Sequence, residues 1–479
     1  MNSNYTKTKI VATIGPASAS YEVLKDMILA GVNVCRINCS HGTHADLKNI
    51  IENVRRINKE LDSSVGILAD LQGPKLRVGE VQDNGVMLVE GSDLVITTKK
   101  AVSTAERVYI TYDLFPQDVR PGENVLLDDG KLVLKVLETN GTDEVRARVV
   151  SGGILSSRKG VNLPNTKVSL PCLTEKDRED LDFVLENDVE WIGLSFVRSA
   201  SDIIELRHLI QKARKHSGIV AKIEKPEALK DIDDIIKETD ALMVARGDLG
   251  VELPMEQVPT VQKMLVKKCM QAGIPVIIAT QMMESMITNI SPTRAEVNDA
   301  ANSILDGADA VMLSGETSTG KHPVKVIQAV KKIIQHVENQ KLLYNFDIEF
   351  LEKEDINRER YVSDHICRTG CRVSNEAGAR AIVAMTGSGY SAMKVAGYRP
   401  KADIYAFTAN RFILNAMSLV WGVRAFYYDK FVSTDHTIAD IRYILRKHGY
   451  VNDGDLIVNI ASIPMESKGM SNMLKISVV

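Results

Sequence analysis

Eight short, uninterrupted apolar runs dominate the first two thirds of the chain, and they constrain its fold more than any other feature. They are Lys9–Gly15, Val32–Asn38, Gly66–Asp70, Trp191–Val197, Gly218–Glu224, Ala241–Ala245, Pro275–Thr280 and Ala310–Ser314. Each is rich in Val, Ile and Leu without polar alternation, the pattern of a parallel strand buried on both faces. Parallel neighbours need a long crossover between them. Stretches such as Tyr21–Ala30 and Ser201–Lys215 have the helical spacing to supply it. Eight strand–helix units predict an α/β fold closed as a (β/α)8 barrel of the TIM type. On pattern alone, an open doubly wound sheet is the alternative.

The third run is followed by text of another kind. Between Gln72 and Lys167, turn signals recur at Asp83-Asn-Gly, Arg120-Pro-Gly-Glu, Asp128-Asp-Gly and Asn140-Gly, with strand-like segments such as Leu132–Leu137 and Val145–Val150 between them. This predicts a small all-β domain inserted into the barrel. Helix resumes at Leu173, with Thr174 and Asp177 spaced as a capping box. The eighth run leads into a long helix, Val324–Asn339, and then an acidic, unpatterned stretch from Phe346 to Arg360. Four further parallel-type runs, Arg380–Thr386, Ala402–Thr408, Val423–Asp429 and Asp455–Ala461, predict a C-terminal α/β domain with a mostly parallel sheet. The expected division is 1–71 with 168–341 for the barrel, 72–167 for an inserted β-barrel lid, and 342–479 for a regulatory domain.

Composition narrows the functional classes. A net charge of -3 gives no bulk basic field, so nucleic acid is not an expected partner. No apolar run approaches bilayer-spanning length and no secretory leader is evident, so a cytoplasmic protein without membrane contact is expected. The six cysteines include no Cys-x-x-Cys pair and read as reduced, structural thiols.

Barrel active sites form at the carboxyl ends of the strands. Six of these ends carry polar groups directly after an apolar run: Arg36-Ile-Asn-Cys-Ser-His-Gly, Asp70-Leu-Gln-Gly-Pro-Lys, Lys222-Ile-Glu-Lys-Pro, Arg246-Gly-Asp-Leu-Gly, Thr280-Gln-Met-Met-Glu and Ser314-Gly-Glu-Thr. Lys222 and Glu224 have strand spacing and therefore face the same way. Glu224 and Asp248 offer the hard oxygens that magnesium prefers. Lys222 adds a fixed cation beside them. That set suits a phosphorylated or enolate-forming substrate. Taken singly, Lys222–Glu224 also reads as an ordinary ion pair, Asp128 and Asp129 as solvated turn acids, and His41 and His44 as loop histidines.

Together these stretches resemble the pyruvate kinase family. The likeness lies in Cys35–His44, Lys222–Glu224, Ala245–Gly250, Ala279–Met286 and Met312–Thr317, and the inserted and C-terminal domains match its layout. The resemblance implies magnesium-dependent phosphoryl transfer from phosphoenolpyruvate to ADP, giving pyruvate and ATP. It implies that Glu224 and Asp248 hold magnesium and that the Gly247 and Asp248 backbone, with Thr280, grips the substrate carboxylate. Lys222 would stabilise the phosphoryl group in flight, and Arg36 would clamp the phosphate. Asn38, Cys39, Ser40 and His41, with Arg77 and Lys159, resemble the nucleotide-contacting set. Asn38, Ser40 and Asp70 match the family's monovalent-cation ligands. Lys75, however, stands where potassium-requiring members carry glutamate, and Leu71 where they carry threonine. That combination is similar to the branch for which potassium is not required.

The C-terminal Thr386-Gly-Ser-Gly-Tyr-Ser391 loop, between a strand and a helix, could cradle a phosphate through its backbone and hydroxyls. The resemblance places a phosphorylated effector there, at Thr386, Ser388, Gly389 and Ser391. It also implies a homotetramer, in which Arg294, near a proline-led helix start, would serve a subunit contact. Two other functions remain compatible with the residues. One is a magnesium-dependent aldolase or lyase, which would need no inserted lid. The other is a binding protein that holds phosphoenolpyruvate without turning it over.

Overall fold

The computed structural model describes residues 5–340, 358–430, 433–463 and 470–479. Strands Lys9–Thr13, Val34–Asn38, Gly66–Asp70, Trp191–Leu194, Gly218–Ile223, Ala241–Ala245, Val276–Ala279 and Ala310–Leu313 follow one another in chain order around a closed parallel barrel. The first strand pairs with both the second and the eighth, so the open-sheet alternative is excluded. Several strands end earlier than the apolar runs that foretold them. Ser195, Glu224, Thr280 and Ser314 have already left the ladder.

Period-two alternation explains how one cylinder is both a core and a site. Val34, Leu68, Val220, Met243, Ile277 and Met312 point inward and pack together in the barrel interior. Two residues further along, the same inward register carries Arg36, Asp70 and Lys222. The opposite faces pack against the surrounding helices in a separate apolar layer. At the amino ends of the strands the cylinder is stoppered by the C-terminal domain. Ala416 and Leu419 join the interior cluster, the Trp191 indole donates to the Ala416 carbonyl at 3.2 Å, and Gly66 N donates to Ser418 Oγ at 3.0 Å. Only the carboxyl end is left for chemistry.

The insert leaves after the third barrel strand and returns before helix Glu175–Glu186. It contains a six-stranded sheet, a two-stranded ribbon and its own apolar core. Residues 76–79 join the sheet's two edges. Val78 N donates to the Lys159 carbonyl at 2.8 Å, and Gly79 N donates to the Tyr109 carbonyl at 2.9 Å. Bridges at Arg77–Gly160 and Val78–Ile110 complete the closure, giving the small barrel expected.

The C-terminal sheet has four parallel strands, Ala381–Met385, Asp403–Thr408, Val423–Tyr427 and Leu456–Ala461. A fifth strand, Met473–Val478, runs antiparallel along one edge and was not foreseen. The boundary expected near residue 342, and the acidic stretch up to residue 357, lie outside the described residues.

Helix starts follow local chemistry. Thr174 with Asp177 forms the anticipated capping box, and Thr293 forms another with Glu296. Pro292 therefore stands just before the cap, not at the first helical position. All six cysteines are buried and unpaired in disulfides.

Candidate active site

Two resident cations and two carboxylates meet at the open end of the barrel. Lys222 Nζ lies 2.9 Å from Asp70 Oδ1 and 3.0 Å from Glu224 Oε1, and donates to Ser195 Oγ at 2.6 Å. Arg36 Nε donates to Asp70 Oδ2 at 2.7 Å, while its Nη1 donates to Thr13 Oγ1 at 2.9 Å. The free oxygen of Glu224 accepts from the Phe196 backbone N–H at 2.7 Å. Lys222 and Glu224 are thus not an isolated pair but half of a four-charge cluster.

Electrostatics follow from this packing. Burial would raise the Asp70 carboxyl, but Lys222 and Arg36 outweigh it and hold it below the ordinary range. Burial would lower the Lys222 ammonium, but Asp70 and Glu224 outweigh it and raise it. Glu224 is raised: burial dominates, Lys222 opposes it, and the nearby Asp248 charge adds to it. A depressed Asp70 contributes stability above its unfolded value and loses it as the pH falls through the lower folded value. Glu224 has the opposite sign. The stability gap between wild type and Asp70→Asn is therefore expected to be widest near neutrality and to narrow below about pH 4. Urea denaturation across that range measures it, and a gap that stays constant refutes the assignment.

Thr280 and Gly247 form the adjoining wall. Gly247 N donates to Thr280 Oγ1 at 2.8 Å, and a Cβ on Gly247 would sit 3.3 Å from that oxygen. Thr280 and Gln281 have φ of 67° and 55°, costly for residues with a Cβ and most of all for β-branched threonine. Arg246 holds the turn, donating to the Thr280 carbonyl at 2.7 Å while pairing with Asp299 at 2.8 Å. Asp248 opens from this turn into a cleft between barrel and insert, which Lys75, Asp129, Lys225, Arg198 and Asn162 also line. Asp129 is an exposed turn acid at the rim of the cleft, as its sequence setting suggests, whereas Asp128 is paired with Lys159 at 2.8 Å.

The remaining candidate residues divide. Asn38 faces Asp70 across the second and third strands, and its Oδ1 accepts from Ser40 N at 3.0 Å. Both Asp70 oxygens are already taken by Arg36 and Lys222. The Cys39 side chain turns into the core, where burial pushes the thiol up to about 12. Only its backbone remains for a ligand, and Lys176 Nζ binds that carbonyl at 2.8 Å. His41 is exposed. His44 instead stacks on Phe183 and bonds Asp180 at 2.8 Å, a packing role. Arg77 and Lys159 lie on neighbouring segments of the insert.

In the C-terminal loop, Thr386 Oγ1 accepts from Gly389 N at 2.8 Å. Ser388 is exposed, and Gly389 has φ of 84° with no room for a Cβ against Met417. Ser391 is only 3% exposed.

Sequence reasoning missed Ser195 and Phe196, which follow the fourth strand, and the buried Glu252, which accepts from Lys225 at 2.6 Å and Asn162 at 2.8 Å. A serine interrupting an apolar run was the available signal for the first. Nothing local marked the other two.

Among the described residues no group of three or more His, Cys, Asp and Glu side chains is placed to hold a metal ion, and a pair of carboxylates such as Glu224 and Asp248 suits magnesium. That ion binds through one or two carboxylates and completes its shell with water and substrate phosphates. The unfavourable proximity of Glu224 and Asp248 charge is what a divalent cation would relieve.

Known proteins bear on this geometry. A family model described as pyruvate kinase, barrel domain, matches residues 5–327, and one described as pyruvate kinase, alpha/beta domain, matches 364–477. A pyruvate kinase of Geobacillus stearothermophilus is 42% identical over 99% of this chain and 80% of its own length. One of Clostridium acetobutylicum is 39% identical over 99% of both. The crystal structure of a pyruvate kinase from Cryptosporidium parvum superposes with a TM-score of 0.92 at 32% identity, covering 99% of this chain and 96% of the other.

Proposed function

The chain belongs to the pyruvate kinase family and transfers the phosphoryl group of phosphoenolpyruvate to ADP, and from that premise we propose the following roles for its residues. Glu224 and Asp248 would hold magnesium, which when bound neutralises phosphate charge as the transfer proceeds. The Gly247 and Asp248 backbone N–H groups, beside Thr280, bind the substrate carboxylate. Arg36 presents a planar guanidinium to the phosphate. Lys222 places its ammonium where charge gathers on the phosphoryl oxygens and on the enolate left behind. The enolate then takes a proton at carbon from water ordered by Thr280, whose hydroxyl is itself too weak an acid to be the donor.

The observation that carries this reading is the convergence of Lys222, Glu224, Asp70 and Arg36 at the carboxyl end of the barrel. Asn38 to His41, with Cys39 acting through its backbone, and Arg77 and Lys159 from the insert contact the nucleotide. The insert closes over the cleft and excludes water. Potassium is not required, because resident cations already neutralise Asp70 and Lys75 adds positive charge at the cleft. A phosphorylated effector binds the 386–389 backbone, with Thr386 and Ser388 but without the buried Ser391. The protein is a cytoplasmic homotetramer with Arg294 near a subunit contact. No helix among the described residues is long and apolar enough to cross a membrane.

Pyruvate formation from phosphoenolpyruvate and ADP, with magnesium and with or without potassium, tests the whole scheme. Binding of phosphoenolpyruvate without turnover would overturn it in favour of a binding protein.

A further inference from the structure

The four residues that follow the fourth barrel strand touch both the catalytic centre and the insert. On the catalytic side, Ser195 Oγ receives the Lys222 ammonium at 2.6 Å and Phe196 N donates to Glu224 at 2.7 Å. Facing the insert, the Arg198 guanidinium donates from Nη1 to the Val168 carbonyl at 2.6 Å and from Nη2 to the Leu170 carbonyl at 2.7 Å. Those two carbonyls belong to the segment by which the chain returns from the insert. Cys172, slightly further on, donates its thiol to the Ser195 carbonyl at 3.2 Å. The outgoing crossing rests on the same loop. A Cβ on Gly73 would lie 2.8 Å from the Phe196 ring and 3.0 Å from Ser195 Cβ. Phe196 has φ of 55°, a strained value that the surrounding bonds must hold in place.

We propose that Ser195–Arg198 transmits movement of the insert to the catalytic charges, with Arg198 as a positioning residue that ties the insert's return crossing to the Phe196–Glu224 bond. The reasoning is geometric. Arg198 grips two carbonyls of one short segment, so that segment cannot shift without moving the guanidinium or breaking a forked pair of bonds. Two residues away, the Phe196 N–H fixes one oxygen of Glu224, and three residues away Ser195 fixes Lys222. A change in the angle of the insert is therefore felt at both groups. Coupling of this kind is reciprocal: substrate and magnesium at Glu224 must in turn steady the return crossing.

The test uses the full-length protein as wild type, Arg198→Met and Arg198→Lys. Hydrogen exchange of residues 168–172 is followed with and without phosphoenolpyruvate and magnesium, beside steady-state kinetics. In wild type the ligands are expected to slow exchange there by about tenfold or more. In Arg198→Met that slowing disappears, kcat falls about tenfold, and KM for phosphoenolpyruvate moves less than about threefold. Arg198→Lys, a point charge in place of a fork, falls between the two. Arg198→Met that keeps the wild-type slowing and kcat overturns the proposal, as does a loss of kcat that merely tracks the thermal midpoint. Should Arg198→Met fail to fold, Arg198→Lys decides by the same comparison. The inference rests on the phosphotransfer reading: a wild type that forms no pyruvate sinks that reading, whereas an active wild type matched by Arg198→Met sinks only the link.

Discussion

Lys222→Met is expected to lower kcat by about a thousandfold, in line with removal of one preorganised charge from a phosphoryl-transfer site. The ammonium touches Asp70, Glu224 and Ser195 at once. Methionine keeps the length and packing of the side chain but not the charge. Its removal leaves Asp70 and Glu224 buried without their shared partner, and breaking such a pair costs about 3–5 kcal/mol. Protonation relieves much of that cost, because Glu224 is already raised by burial and loses the Lys222 charge that opposes it. The fold should therefore survive while turnover collapses. Circular dichroism and the thermal midpoint check the first, and single-turnover pyruvate formation checks the second. A Lys222→Met protein that turns over at the wild-type rate would remove the catalytic assignment altogether.

Lys75→Glu is expected to create a requirement for potassium. Wild type should work at nearly full rate in potassium-free buffer, whereas the variant should lose at least about tenfold there and recover when potassium is restored. A unit charge about 4 Å from its partner is worth roughly 4 kcal/mol at an effective dielectric near 20. Lys75 is exposed at the cleft, so solvent and salt reduce that figure before substrate binds. The glutamate would reverse the sign at a cleft that also holds Asp129 and Asp248. Rates measured with potassium exchanged for a large organic cation make the comparison. Wild-type activity that vanishes without potassium, or a variant with an unchanged potassium response, would refute it.

Much of the architecture was legible because each barrel strand is buried on both faces and reads as a continuous apolar run. Gly66–Asp70 and Ala241–Ala245 were placed to the residue. The edge strand Met473–Val478 escaped for the converse reason: it is half exposed, with Lys475 and Ser477 breaking the apolar text. At the site, residues whose chemistry is written in the side chain were legible, as with Glu224 and Asp248. Contacts made to backbone groups far away in the chain were not. Nothing in the sequence shows that Phe196 lends an N–H to Glu224, or that Arg198 seeks carbonyls some thirty residues earlier in the chain. The burial of Cys39 and Ser391 was equally invisible, because sequence position says nothing about how deeply a short side chain is covered.

Because residues 416–419 form the floor of the barrel, the catalytic unit is not a detachable module. Severing the C-terminal domain would open the cylinder from below, wetting Trp191 and the apolar layer just beneath the charged groups. Recombination between relatives at that junction is thus constrained by shape as well as by chemistry.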